Sequence, residues 1–159
     1  MKLLKCDKLL LCFGMVFLLG QTNALVNLKQ ELPISIGNTK AQVFEKLGQP
    51  SATDYEWIYN DSNSNRNYYV EFHQNIVSQI KVINWFERHK DQKLVNGLTF
   101  QDSFRNWIKV FGEPVEVIPS GSETTMFWKI SEVWIALTID SNLKKNTWFC
   151  IEKSRPKQK

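Results

Sequence analysis

Aromatic and β-branched residues are concentrated in six short runs along this chain, and polar loops separate the runs. Such runs are typical of β-strands. The predicted strands cover residues 55–59, 67–72, 76–83, 124–130, 133–140 and 147–153. Most connections between consecutive strands are short, so the pattern predicts antiparallel pairing.

Two other segments, residues 37–50 and 97–114, carry apolar residues at helical spacing between matching terminal signals. Each opens with a glycine two residues before a threonine and closes with a glycine two residues before a proline. Thr39 followed by Gln42 fits a capping box, which satisfies amide donors of the first helical turn. Glycine suits the left-handed residue after a helix, and the proline forbids continuation. Both segments are therefore predicted to be helices.

The order helix–β–β–β thus occurs twice, which predicts an α+β fold. We expect two helix-plus-three-stranded antiparallel sheet repeats, at about residues 34–83 and 95–152, with the helices on one face. Each unit alone is near the size at which a hydrophobic core becomes marginal. We therefore expect the two units to form one continuous sheet or to pack side by side.

The first 24 residues have the layout of a secretory signal peptide. Three lysines precede an apolar run over residues 9–19, and small residues follow it up to Ala24. The run is too short to span a bilayer comfortably. We expect cleavage near Ala24 and a periplasmic or secreted protein, in which residues 25–152 form a single domain and residues 153–159 a basic tail. An uncleaved membrane anchor is the alternative.

The formal net charge of +4 belongs to the two ends of the chain. Residues 1–24 hold three lysines and one aspartate, and residues 153–159 hold four basic residues, so the body between them is slightly acidic. Nucleic-acid binding requires a clustered basic footprint, so that class of partner is disfavoured. The tail could still make a weak contact with an anionic membrane.

Few residues in the sequence suggest a catalytic site. Cys150 is the one cysteine outside the predicted signal peptide, so no intrachain disulfide is expected, and its apolar surroundings favour a buried thiol. His73 and Glu71 share one face of a predicted strand, and a solvent-exposed face is the simpler interpretation than a proton-handling pair. No G-x-S-x-G, H-E-x-x-H or glycine-rich phosphate motif is present. We predict a non-enzymatic protein without cofactor or metal; a hydrolase using Cys150 or His73 is the minority alternative.

The pattern G-x-T-x-x-x-V-x-x-x-L-G-x-P, followed by a strand rich in Trp and Tyr, resembles the SmpA/BamE-like group of bacterial envelope proteins. The first copy carries it on Gly37, Thr39, Val43, Leu47, Gly48, Pro50, Trp57 and Tyr59. The second copy keeps Gly97, Thr99, Phe111, Gly112, Pro114 and Trp128. A tandem of such units is also similar in architecture to the β-lactamase inhibitory protein. The resemblance implies a non-enzymatic protein that acts by binding another protein.

A sheet covered by helices on one face leaves the other face available, and aromatic residues there are typical interface anchors. We therefore expect the open face to bind another protein, of the bacterial envelope. The candidate contact residues are Tyr55, Trp57, Tyr59, Tyr69, Glu71, His73 and Lys81. The first three depend on strand register, because a shift of one residue would turn them to the other face. The narrower alternative is an inhibitor or immunity protein against an envelope-targeting hydrolase, with residues 60–66 or 141–146 as the inserted loop.

Overall fold

The computed structural model describes residues 27–61, 66–84, 92–142 and 145–154. Over these ranges the chain forms two short helices, α1 (Lys40–Leu47) and α2 (Phe104–Phe111). The strands in chain order are β1 (Trp57–Asp61), β2 (Arg66–His73), β3 (Ile76–Ile83), β4 (Glu116–Ser120), β5 (Glu123–Ile130), β6 (Val133–Asp140) and β7 (Lys145–Glu152). Neither helix in this part of the chain has the length and apolar composition needed to cross a membrane.

Several predicted features lie outside the described residues. These are the signal peptide at residues 1–24, residues 62–65 and 143–144 of the two candidate loops, and residues 155–159 of the basic tail. The structure therefore does not test these features, and they stay predictions from the sequence.

The strands form one antiparallel sheet in the order β1-β2-β3-β7-β6-β5-β4. The prediction of two helix-plus-three-stranded repeats was wrong, because the described chain builds a single seven-stranded sheet with only two short helices. The centre of the sheet is the pairing of β3 with β7, in which Ile80 lies opposite Ile151. This pairing removes two strand edges that separate units would have left with unpaired backbone groups.

Strand β4 was not predicted from the sequence. It contains Pro119, which has no amide hydrogen and argues against a central strand. The structure places β4 at the edge of the sheet, where it pairs only with β5. An edge strand tolerates proline because one side of its backbone has no neighbouring strand to bond.

Both helices lie on the same face of the sheet, over the main hydrophobic core. On α2, Trp107 and Phe111 are buried against Trp128 of β5 and Phe149 of β7. The ring of Trp107 lies 6.0 Å from that of Trp128 and 5.9 Å from that of Phe149, between ring centroids. Val43 of α1 joins the same core. The opposite face of the sheet, which neither helix covers, is called the open face below.

The predicted capping box of α1 is confirmed. The hydroxyl of Thr39 accepts a hydrogen bond from the amide of Gln42 at 3.2 Å, and the side-chain oxygen of Gln42 accepts one from the amide of Thr39 at 2.8 Å. Gly48 closes the helix at φ 74° and ψ −152°, a conformation that is essentially restricted to glycine. The start of α1 is thus fixed by side chains and its end by backbone geometry.

Helix α2 begins later than its sequence signals suggest, because the residues after Thr99 form a turn. The carboxylate of Asp102 accepts hydrogen bonds from the amide and the hydroxyl of Thr99, at 2.8 and 2.9 Å, and from the side-chain amide of Asn106 at 2.9 Å. Burial works to raise the pKa of Asp102, but these hydrogen bonds outweigh it and hold the pKa below its usual value. The helix therefore begins at Phe104, with Ser103 as its N-cap.

Candidate functional site

Strand register sorts the open-face side chains in the middle of the sheet into three rows that run across it. The central row contains Ile58, Tyr69, Lys81, Cys150, Ala136, Phe127 and Glu116. The Trp134 row contains Glu71, Gln79, Glu152, Trp134 and Lys129. The Trp148 row contains Asn60, Asn67, Ile83, Trp148, Thr138, Thr125 and Ile118. Neighbouring rows are about 7 Å apart, since two residues of a strand separate them.

A second hydrophobic cluster lies on this open face, separate from the main core. Phe127, Ala136 and Cys150 are at most 2% exposed, and three partly buried side chains pack against them. The members of this open-face cluster are Phe127, Ala136, Cys150, Ile118, Trp134 and Trp148. Faces of antiparallel sheets that lack a covering layer usually carry alternating polar residues. Here the rings of Trp134 and Trp148 cover small neighbours and stay partly exposed themselves.

The geometry of the cluster follows from the register. Ala136 lies opposite Cys150, and Phe127 lies opposite Ala136, so the centre of the cluster is one large and two small side chains. Trp134 and Trp148 lie two residues to either side of this pair, about 14 Å apart along the strand direction. The small side chains leave room for the two indole rings to pack inward over the central row.

Two lysines place their charge over the partly exposed aromatic rings. The Nζ atom of Lys81 lies 5.7 Å from the ring centroid of Tyr69 and 5.4 Å from that of Trp148. The Nζ atom of Lys129 lies 5.9 Å from the ring centroid of Trp134. These are cation–π distances, and they fix both ammonium groups beside the cluster. Within the described ranges neither lysine forms an ion pair with a carboxylate.

One carboxylate beside the cluster is bonded within the protein. Glu152 is 9% exposed and lies opposite Trp134. One of its carboxylate oxygens accepts a hydrogen bond from the side-chain amide of Gln79 and the other accepts one from the hydroxyl of Ser154, both at 2.8 Å. The negative charge of Glu152 is therefore largely removed from solvent, whereas Lys129 is exposed and Lys81 is half-buried.

The open face does not combine its cysteine and histidine into a nucleophile–base pair. Burial raises the pKa of the Cys150 thiol far above its usual value, with the charge of Glu152 adding to the effect and Lys81 opposing it. His73 lies on β2, two strands and four positions away, at roughly 16 Å between backbones. Nucleophile and base must approach to about 3 Å. Among the described residues, no three histidine, cysteine, aspartate or glutamate side chains converge as a metal site.

Four of the seven predicted contact residues lie on the open face: Tyr69, Glu71, His73 and Lys81. Tyr69 and Lys81 border the open-face cluster, while Glu71 and His73 are exposed toward one end of β2. The structure therefore brings only the first two together with the aromatic rings.

The other three predicted residues lie elsewhere. Trp57 pairs with Val70 and Tyr59 with Tyr68, so both point toward the helices and not toward the open face. The reason is a one-residue difference between the expected and the observed register of β1. Tyr59 is buried, which raises the pKa of its phenol, and Tyr55 precedes β1 and is fully exposed.

Comparison with known proteins was made against families, curated proteins and solved structures. No family model matches the chain, and no curated protein matches it. Solved structures do match. The chain shares its fold with three of them.

The first is a DUF4309 family protein, YjgB, from Bacillus subtilis, at 14% identity and a TM-score of 0.53 over 72% of this chain and 78% of that one. The second is an extracellular protein containing a SCP domain from Bacillus anthracis, at 16% identity and a TM-score of 0.52 over 82% of this chain and 51% of that one. The third is a cysteine-rich secretory protein from Staphylococcus aureus, at 12% identity and a TM-score of 0.52 over 74% and 44%. This chain spans about half the length of the second and third proteins.

These matches correct the family resemblance drawn from the sequence. The similar structures are a DUF4309 protein and SCP-type proteins, and the single seven-stranded sheet does not fit tandem SmpA/BamE-like repeats or the inhibitory-protein architecture built from them. The glycines and prolines that carried the resemblance have a local explanation. Gly48 and Gly112 end helices at positive φ, and helices in unrelated folds end in the same way.

The sequence pattern did not single out Trp134, Trp148 and Phe127 as members of one surface. Their strands are buried on both faces, so the runs WIAL and WFCI read as continuous apolar stretches. Such runs do not indicate which residues face the helices. The one available signal was spacing: Trp148 and Cys150 are two residues apart, as are Trp134 and Ala136, so the members of each pair share one face of their strand.

Proposed function

We propose that the protein is a secreted, non-enzymatic module that binds another protein through the open face of its sheet. The observation that carries this proposal is the open-face cluster, a set of aromatic side chains on a face that neither helix covers. Trp134 and Trp148 pack against this cluster but stay partly exposed, and tryptophan and tyrosine are common anchors of protein interfaces.

The dimensions of the face are suitable for this role. Seven strands at about 4.8 Å spacing and three rows at about 7 Å spacing give an area of roughly 30 by 14 Å, before the width of the outer side chains is added. A standard interface buries roughly 800 Å² on each partner. The open face can therefore supply the centre of such an interface, with Trp134 and Trp148 as anchors and the polar ends of the rows as a rim.

The secreted location is supported by two independent features. The first is the charged start, apolar run and small residues before Ala24. The second is that two of the three similar structures come from proteins described as extracellular or secretory. A periplasmic or fully external location, and an envelope protein as the partner, are further parts of the proposal.

The proposal is tested by removing the anchors and comparing with a matched change on the other face. The chain from residue 25 is immobilised as wild type, as the Trp134→Ala/Trp148→Ala double variant and as Phe44→Ala, and an envelope extract of the source organism is passed over each. Phe44 is 51% exposed on α1, so its truncation removes an aromatic ring from the helix side. Affinity for any captured protein is then measured by calorimetry.

Wild type and Phe44→Ala are expected to capture the same protein with the same affinity, and the double variant is expected to lose it. Equal capture by all three forms would place the contact elsewhere and contradict the proposal. Failure of the wild type to capture any protein would count against it as well.

A further inference from the structure

Two lysine ammonium groups lie at the aromatic rings of the open-face cluster, and this indicates the chemistry of the partner. We propose that the partner docks an acidic peptide segment on the open face, with carboxylates bound by Lys81 and Lys129 and an apolar side chain set between Trp134 and Trp148. This inference rests on the proposed function and adds the class of partner.

Lys81 lies against two rings, and within the part of the chain that the structure describes it forms no ion pair. Its side chain begins opposite Cys150 in the central row, and its ammonium group lies between the rings of Tyr69 and Trp148 at 5.7 and 5.4 Å from their centroids. Ring contacts attract the cation, but a lysine ammonium has three N–H donors that a ring does not satisfy as an oxygen does. A carboxylate of a bound partner could accept hydrogen bonds from these donors.

Lys129 repeats this arrangement at the other side of the cluster. It is exposed on β5 and lies opposite Trp134, with its ammonium group 5.9 Å from the centroid of that ring. Three strand spacings and one row separate Lys129 from Lys81, roughly 16 Å between backbones. An extended segment of about five residues covers this distance, so carboxylates at its two ends could reach both lysines with apolar contact between them.

Three acidic side chains lie in the rows around the cluster. Glu152 is bonded through both of its oxygens inside the protein. Glu71 is exposed at the β2 end of its row, and its charge contributes to raising the pKa of Cys150. Glu116 is half-buried at the β4 end of the central row, opposite Phe127. A partner that covers Trp134 and Trp148 meets the ammonium groups at those two rings, with Glu71 and Glu116 at the ends of the rows.

Other anionic or aromatic-binding partners fit less well. A neutral sugar would stack on free ring faces, whereas ammonium groups already lie at the rings of Trp134 and Trp148. A polyanion such as nucleic acid needs an extended basic surface, and residues 25–152 are slightly acidic as a whole. An acidic segment with an apolar side chain satisfies both the two local charges and the aromatic surface.

The test is selection of peptides from a phage-displayed library of random 12-residue sequences on the immobilised chain. The inference predicts enrichment of peptides in which Asp or Glu flanks an aromatic or aliphatic residue. For a synthesised consensus peptide, Lys81→Glu and Lys129→Glu should each weaken binding about tenfold, since each reverses one charge contact. Arg105→Glu is the matched control, because it reverses an exposed charge on the helix side, near the start of α2 where a negative charge is tolerated.

The outcomes separate this inference from the proposed function. Selected peptides that require Trp134 and Trp148 but are basic or uncharged would overturn the acidic class and leave the binding face intact. Peptides that bind equally to the Trp134→Ala/Trp148→Ala variant, or a library that yields no binder, would count against both. Heparin is tested in parallel; if it binds and needs the two lysines while no peptide does, the partner is a polysaccharide and the inference is wrong.

Discussion

The open-face cluster should behave as a second packed core, and Phe127→Ala tests this directly. Phe127 is 2% exposed although it lies on the face that neither helix covers. Truncation of a fully buried phenylalanine costs about 3–5 kcal/mol, from lost transfer free energy and from the cavity left behind. The surrounding Ile118, Trp134 and Trp148 are only partly buried and can close over the cavity, so the lower end of the range, about 3 kcal/mol, is expected.

The assay is urea unfolding followed by tryptophan fluorescence and far-UV circular dichroism. Val117→Ala is the matched control, since Val117 lies on the neighbouring strand β4 and is 50% exposed; its truncation should cost under about 1 kcal/mol. For a domain of this size the phenylalanine variant should also lower Tm by roughly 10 °C. If Phe127→Ala costs no more than Val117→Ala at an unchanged m-value, the cluster is not a packed unit and the reasoning fails.

Three further predictions concern single side chains. The buried Cys150 thiol, with its raised pKa, should react with Ellman's reagent at about pH 8 only at the rate of global unfolding, and rapid native-state labelling would contradict its placement. Asp102 has a lowered pKa in the folded state, so it stabilises the fold above the ordinary aspartate pKa of 3.8, and this contribution is lost as pH falls through the folded pKa. Asp102→Asn should therefore lower Tm at neutral pH, but much less at about pH 2; an equal loss at both would refute the assignment. Gly48→Ala should cost about 1–3 kcal/mol in thermal unfolding because of its positive φ, and an unchanged Tm would rule out that backbone conformation.

The local elements could be predicted from the sequence because their signals are local. The capping box of Thr39 and Gln42 and the glycine at position 48 act within one helical turn, and the structure has them as expected. The six predicted strands overlap β1, β2, β3, β5, β6 and β7 for the same reason, since aromatic and β-branched residues mark pleated segments.

The arrangement of those elements could not be predicted in the same way. The pairing of β3 with β7 joins Gln79 to Glu152, which are 73 residues apart, and no local pattern encodes it. Strand β4 was missed because Pro119 weakens its signal. The two expected repeats were therefore an extrapolation from local similarity, and they are contradicted by the single seven-stranded sheet with only two short helices in the described chain.

The binding face was only partly predictable. Alternation along β2 placed Tyr69 on the open face, and Lys81 lies directly opposite it. The register of β1 was off by one residue, which turned Trp57 and Tyr59 to the wrong face. A strand with buried residues on both faces shows no alternation of apolar and polar residues. Trp134 lies on such a strand, so the sequence did not show which face it occupies.

The central claim is that a partner contacts the open face through Trp134 and Trp148. The most direct measurement is the change in backbone amide chemical shifts of the isotope-labelled chain when a captured partner or a selected peptide is added. The account predicts shifts concentrated on β5, β6 and β7 around Trp134, Trp148 and Lys81, with α1 and α2 unchanged. Shifts concentrated on the helices, or on Phe44 and Tyr55, with Trp134 and Trp148 unaffected, would contradict it.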